Sequence, residues 1–489
     1  MSDQEVDSGA ESSDIYEESS GSDDEDSSSE NEDVADQPVP KIWTRIYPPE
    51  DLDSLPFTAR NVGARNNPPP ESRPITYLSL FLTPEVLRCI VSETKKYADQ
   101  QINSTISQGK PLSVRTLKWR RLNFDVAMLK KFLGLVINMG LVEKKDLVMY
   151  WDTKNPNTAT PFFSSILSRN TFQLISRYLH CSDNTSNSAQ HNSPNYDPLH
   201  KFRLLDSLNS GCKRYYVPAQ CISIDESLIG MKNRTQLIQY IPNKHHHKWG
   251  VKLYSVTKSS TGFPLHTMVY CGKRGEGPPS DKGHSFDVVD KLINISGLTN
   301  KGYHLFVDNF YTSVTLAEHL YDKGVMLTGT MRSNRKGIPK MIKQAKPKIQ
   351  ECIYAKNVHT LVLSWKEKKS QKKPCIMLST GLPSGMVEHP VRGGGTKPKP
   401  PVVSEYNKHM GGVDTLDQKV DFYAGERAFH KYWKKCFFAL IDRMIVCSYI
   451  LYQANTSDRP PLTRYKFMCG IVEELCAYNS IECENSVKM

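Results

Sequence analysis

At 489 residues, 38% of them hydrophobic, the chain exceeds a single ordinary core, and length alone suggests about three domains. Its formal charge of +11 hides an asymmetry: residues 1–37 hold 15 acids and no Lys or Arg, so the rest sets 63 bases against 52 minus 15 acids, a formal +26. A basic body points to a polyanionic partner, nucleic acid first. No apolar run is expected to reach the roughly 18 to 20 residues of a membrane span, and the acidic start does not read as a signal peptide. The 12 cysteines lack any CxxC pair, which argues against a disulfide framework and for reduced thiols inside a cell.

The acidic, serine-rich residues 1–37 cannot bury enough apolar surface to fold, and either solubilise the chain or compete with a polyanion for its basic body. Ser22 precedes Asp23, Asp24 and Glu25, so phosphorylation there would add to the negative charge. Residues 38–75 are Pro-rich and polar, which predicts an extended linker. From about Leu78 the pattern is helical. Phe124–Leu141 sets Met128, Phe132, Leu135 and Met139 on one face, and Ser168–His180 sets Phe172, Ile175 and Leu179 on one side with Arg169, Arg177 and His180 on the other. Such stripes read as core first and DNA contact second.

Cys221–Gly230, CISIDESLIG, alternates β-formers up to Asp225, which predicts a strand with Asp225 at its end. Between 239 and 258, Lys244, Lys248 and Lys252 are interleaved with Tyr240, Trp249 and Tyr254 around His245, His246 and His247. Neighbouring strand residues point to opposite faces, so the three histidines cannot share one metal, and a basic loop against phosphate is expected. In His304–Asn309, HLFVDN, the short apolar run predicts a strand buried on both faces with Asp308 at its end. A helix over Thr312–Lys323 follows, then a basic cluster of Arg332, Arg335 and Lys336 suited to phosphate.

The gap from Asp225 to Asp308 is 83 residues and from Asp308 to Asp414 is 106, longer than one crossover needs, so an inserted subdomain is expected at 334–400. Gly393, Gly394 and Gly395 and the KPKPP run at 397–401 read as its closing linker. In Tyr406–Gln418, YNKHMGGVDTLDQ, Gly411 and Gly412 predict a tight bend before a helix that carries Asp414 and Asp417 on one face. Taken alone, Asp414 also reads as a helix cap and Asp417 as a solvated acid. Tyr432–Tyr452 predicts a buried helix, preceded or entered by Lys431, Lys434 and Lys435. Cys469, Cys476 and Cys483 lack zinc spacing and read as ordinary thiols.

Two strand-end aspartates and one at a helix start can converge where α/β sheets hold their ligands. Three carboxylates without matching His or Cys make a hard oxygen site, suited to Mg2+ or Mn2+. Phosphodiester chemistry uses such a site, with two ions about 3.5–4 Å apart flanking the attacking and leaving oxygens.

These stretches carry a resemblance. SIDESLIG at 223–230, YIPNKHHHKWGVKLY at 240–254, FVDNFYTS at 306–313, GTMRSNRKGIP at 329–339 and YNKHMGGVDTLDQ at 406–418 are similar, in order, to the piggyBac family of transposases. The resemblance implies an α/β RNase H-like catalytic core at 222–333 and 401–423, interrupted by the insertion subdomain at 334–400. It implies a mostly α-helical dimerisation and DNA-binding domain at 76–221 and 424–480, after a disordered tail and linker at 1–75 and before a tail at 481–489. Asp225, Asp308 and Asp414 would be the catalytic, metal-holding triad, with Asp417 accessory and two Mg2+ or Mn2+ ions. The expected partner is double-stranded DNA, both transposon ends and a TTAA target, bound by a homodimer in the nucleus. Many such transposases carry a Cys/His-rich zinc module that reads the ends, and no such pattern occurs between Cys469 and Met489.

Overall fold

The structure is a computed structural model that describes residues 42–47, 51–52, 54–190, 192–233, 235–242, 248–272, 279–390, 394–425, 431–456 and 460–477. The acidic arm, Lys244 and the three histidines, Gly393 and Cys483 lie outside these residues.

Runs of β-branched and aromatic residues pair into one sheet of ten strands. They are β1 (Thr44–Ile46), β2 (Cys221–Gly230), β3 (Ile238–Tyr240), β4 (Trp249–Lys258), β5 (Pro264–Val269), β6 (Tyr303–Val307), β7 (Val325–Met331), β8 (Glu351–Asn357), β9 (Thr360–Lys366) and β10 (Cys375–Ser379). The centre runs β5, β4, β2, β6, β7: β5, β4 and β2 are antiparallel, while β2, β6 and β7 are parallel. Every residue of β6 is buried, as predicted for a strand covered on both faces.

Within residues 334–400 three strands join the central sheet, and only a short hairpin stands apart from it. Their strands β10, β9 and β8 continue the central sheet antiparallel beyond β7, and β1 closes that edge on β8. The apolar side chains Tyr354, Leu363, Trp365 and Met377 form a second core with Phe306 of β6 and with Val402, Val403 and Tyr406 of the helix Pro401–His409. These strands thus pack against the segment that leads to Asp414. The closing linker is also more structured than its composition suggests, since Thr396–Lys399 pairs with Val387–Pro390 as a hairpin and Pro401 starts a helix. Alternating Lys and Pro suit an extended edge strand as well as a linker.

Where it is described, the chain before residue 75 is largely extended, as expected, and parts of it dock on the folded body. Thr44–Ile46 is a sheet strand, Phe57 packs edge-on against Tyr303 at 5.2 Å, and Gly63–Ala64 pairs with Tyr216–Val217. Extended backbone exposes its hydrogen-bonding groups, and composition cannot say whether water or a sheet edge satisfies them.

The helical part matches the predicted stripes, with helices Val126–Leu141 and Arg169–Tyr178 capped by Asp125 and Ser168. His180 departs from its predicted polar side: it is buried between Tyr97 and Trp433. Helix Arg464–Cys476 returns against Val126–Leu141, where a side chain at Gly134 would strike Cys476. The two helical stretches therefore share one core.

The long helix Tyr432–Asn455 has the length and apolar composition of a membrane span, contrary to the expectation that no run would reach it. Because 78% of its apolar window is buried inside the protein, it reads as a core helix. Lys434 is buried as well, donating to the carbonyls of Ser176 and Arg177 at the C-terminal end of helix Arg169–Tyr178, where the helix dipole favours a cation. Burial pushes the Asp442 carboxyl in this helix up to about 7, against the pull of Arg443 and Arg464. An acid raised in the folded state contributes most below its unfolded value near 4 and loses that contribution as pH rises through about 7. Asp442→Asn should therefore flatten the pH dependence of melting between pH 4 and 8, and should be more favourable at pH 8 than at pH 5. A melting curve set that stays parallel to wild type would remove Asp442 as the cause.

Candidate active site

Asp225 is not at the end of its strand, because β2 continues to Gly230 on the antiparallel ladder with β4. What ends there is the parallel partner. Ser223 pairs with Phe306 in the β2–β6 register, and continuing it by two residues sets Asp225 beside Asp308, one strand spacing of about 4.8 Å away. Asp308 directly follows β6, where the backbone N–H of Phe310 donates to its Oδ1 at 2.9 Å.

Asp414 comes from the first turn of the site helix, Gly412–Asp421. Met410 and Gly411 form the turn that joins helix Pro401–His409 to the next, as expected, with Gly411 at an ordinary φ of −73°. Gly412 is needed for a different reason. A Cβ there would lie 2.3 Å from Ser223 Oγ and 2.6 Å from Thr257 Oγ1, so only glycine lets the helix start sit on β2 and β4. On the other side, a Cβ on Gly262, at φ +70°, would meet the helix backbone at Leu416 N, 2.8 Å away. Gly412→Ala should cost about 1–3 kcal/mol through overpacking, read as a lower denaturation midpoint; unchanged stability would mean that the helix start can shift freely.

Asp225 feels the charge of both other aspartates. Burial, then the charges of Glu226, Asp308 and Asp414, raise the Asp225 carboxyl well above its usual range. Burial and Glu226 push Asp308 up to about 6. Asp414 is exposed.

Two predicted contacts play other parts. Asp417 is the ion-pair partner of Arg443, which is almost fully buried and also donates to Ser227 Oγ of β2. The accessory acid thus ties the site helix to the long helix and the sheet. Lys252 sits beside the site rather than on a free phosphate-binding face. It pairs with Glu226 at 3.3 Å and lies over the rings of Tyr254 and Phe310. Glu226 also accepts from the Tyr311 hydroxyl at 2.7 Å. Burial would raise the Glu226 carboxyl, but Lys252 and Tyr311 hold it below its usual range.

Arg332 and Arg335 brace the turn after Asp308. Arg332 Nε donates to Asn309 Oδ1 at 3.1 Å, and Arg335 donates to the carbonyls of Asn309 and Phe310. Arg332, Lys248 and Lys336 are exposed, while Arg335 is half-buried. Glu226, Tyr311 and Arg443 were missed in the sequence. Only Glu226 and Tyr311 gave a signal, being polar neighbours of the two strand aspartates.

The donor chemistry fits a hard divalent cation: carboxylates meet here without enough positive charge, and two of them are held towards their neutral forms. Among the described residues no three His, Cys, Asp or Glu side chains already form a chelating group. A cation would offset both the burial and the neighbouring negative charge that raise Asp225 and Asp308.

The family described as Transposase IS4 matches residues 73–449. The human PiggyBac transposable element-derived protein 3 is 24% identical over 441 residues, covering 85% of this chain and 68% of that protein. The human PiggyBac transposable element-derived protein 2 is 23% identical over 443 residues, covering 86% and 67%. The cryo-EM structure of a piggyBac transposase synaptic complex with hairpin DNA shares the fold, with a TM-score of 0.70 over 86% of this chain and 84% of that one at 23% identity.

Proposed function

The chain belongs to the piggyBac-type transposase family, and from that membership we propose that it cuts double-stranded DNA and joins it at TTAA sites through an RNase H-like core. The observation that supports this reading is that the charges of Asp308 and Asp414, carried by two other elements, both act on the buried carboxyl of Asp225 in β2. In the proposal the three carboxylates hold two Mg2+ or Mn2+ ions, which when bound stabilise charge on the attacking and leaving oxygens of an in-line displacement.

The chain's own residues set the stage for that displacement. Asp225 and Asp308, held towards their neutral forms without a cation, would ionise when cations bind and supply the negative charge, and the Lys252–Glu226–Tyr311 chain fixes the turn between β6 and its following helix. Exposed Lys248, Arg332 and Lys336 offer phosphate contacts that position DNA without reading sequence. Water first breaks a phosphodiester to leave a 3′-OH, and that hydroxyl then attacks a target phosphodiester, releasing the target strand's own 3′-OH. Two copies acting in the nucleus, one per DNA end, complete the proposal.

A second reading is a transposase-derived DNA-binding protein that no longer cleaves. It is favoured by the lack of a chelating trio among the described residues. Incubating the full chain with supercoiled plasmid carrying TTAA sites separates the two. Cation-dependent nicked and linear products with ends at TTAA support the transposase; bound but uncut plasmid in both Mg2+ and Mn2+ supports the second reading.

A further inference from the structure

A pocket of about 510 Å3 opens among helix Val126–Leu141, residues 143–150, helix Arg169–Tyr178 and the start of the long helix. That volume lies within the roughly 300–1,000 Å3 of ligand pockets, and none of its lining residues belongs to the aspartate site. Val136 and Leu147 line it half-buried, so both keep apolar surface for an occupant, and the buried rings of Phe172 and Phe438 line it too. Among the described lining residues are five cations, Lys144, Lys145, Arg177, Lys431 and Lys434, against the single acid Glu143. Lys434 donates to the carbonyls of Ser176 and Arg177, Lys144 to that of Thr158, and Lys431 to the Tyr97 hydroxyl. Lys145 and Arg177 are exposed and form no ion pair among the described residues. Burial, then the charge of Lys431, pulls the Lys434 ammonium down to about 8, the sign of positive charge left unbalanced.

An occupant that answers such a pocket has apolar side chains flanked by carboxylates, and the chain itself carries one. Residues 1–37, with 15 acids and no Lys or Arg, contain a single aromatic residue, Tyr16, and it follows the only Ile or Leu of that arm, Ile15. Asp14 precedes the pair, and Glu17 and Glu18 follow it. The 26 peptide steps from Tyr16 to Ile42 (42 minus 16), where the described chain begins, span up to about 90 Å when extended. A fold of this size has a radius of gyration of roughly 22 Å, so the arm reaches any face of it. Residues 426–430 join two lining residues, Gly425 and Lys431, and include Phe429. The charges of Glu426 and Arg427 cancel, however, so that segment brings no net negative charge to the rim.

We propose that this pocket seats the chain's own acidic arm, with Ile15 and Tyr16 against Val136, Leu147 and Phe438, and with Asp14, Glu17 and Glu18 on Lys145 and Arg177. Apolar burial holds the segment, and charge decides which segment enters. Because occupant and pocket share one chain, the contact forms as an intramolecular event, and modest affinity is enough. When seated, the arm withdraws Lys145 and Arg177 from any other anion. Neither the aspartates nor a bound cation takes part, so the contact holds whether or not the chain cleaves DNA.

The test uses the full chain with the photo-crosslinker p-benzoylphenylalanine in place of Tyr16, irradiated without DNA and mapped by mass spectrometry. The expected result is a crosslink to peptides that contain Val136 or Leu147, with a yield that does not change when the protein is diluted tenfold. Lys145→Glu/Arg177→Glu is expected to cut that yield at least fivefold, and adding Asp14→Lys/Glu17→Lys/Glu18→Lys to the same chain to restore it. The restoration separates a lost contact from a lost fold, because charges changed on the arm cannot refold a collapsed pocket. Val136→Asp gives an independent variant that opposes the arm's acids without touching either cation, and it is expected to lower the yield likewise. Crosslinks confined to other parts of the chain mean that another segment or none fills the pocket, and overturn the proposal. A yield that charge reversal leaves unchanged overturns it too, as do crosslinks to the pocket peptides that form only between chains.

Discussion

Asp225→Asn, Asp308→Asn and Asp414→Asn are each expected to abolish cation-dependent strand cleavage while leaving duplex affinity within about twofold. Each substitution removes a negative oxygen from the coupled cluster but leaves the basic surface that supplies phosphate affinity. The loss should reach the detection limit of a nicking assay, because a neutral amide leaves too little charge to hold the cation. A gel-shift series run beside it separates chemistry from binding. Asp417→Asn should impair cleavage less, since its carboxylate is engaged by Arg443. Undiminished cleavage by any one triad variant would take that residue out of the site.

Arg443→Ala carries the largest expected stability loss. Its side chain is 4% exposed, and its guanidinium reaches Asp417 at 3.1 Å, Ser227 at 3.2 Å and the Ala439 carbonyl at 3.4 Å. Removing one partner of a buried pair costs about 3–5 kcal/mol. The lower end applies here, because Asp417 keeps 23% exposure and water can solvate part of the stranded charge. Urea denaturation should show a midpoint shift of that size with an unchanged slope. Arg443→Met with Asp417→Leu should lose much less, because no charge is left unpaired. If the single variant were as stable as wild type, the link between the long helix and the site helix would be dispensable.

The parts of this arrangement that were legible in the sequence are those set by local pattern. HLFVDN reads as a doubly covered strand because five buried residues leave no polar alternation, and it places Asp308 correctly. The stripes around Phe132 and Phe172 read as core helices for the same local reason. The alternation up to Asp225 reads as a strand end, whereas the ladder with β4 that carries β2 on to Gly230 is a tertiary fact. The glycine pair reads as a turn before a helix, which the structure has, but the need for glycine at 412 comes from atoms of Ser223 and Thr257 far away in the chain. Arg443 sits inside an apolar helix and gives no sign of its partner 26 residues earlier. The Pro-rich stretch was legible as extended, but the docking of Thr44–Ile46 on β8 depends on an edge formed by Tyr354–Lys356, far later in the chain.

The central claim is that Asp225, Asp308 and Asp414 form one cation site, and calorimetric titration of Mn2+ into the full chain at pH 7.5 tests it most directly, without DNA. The account predicts saturable binding of up to two ions per chain, loss of that binding in Asp308→Asn, and its retention in Lys252→Gln. Identical titrations for wild type and Asp308→Asn, or no saturable binding by wild type, would contradict it.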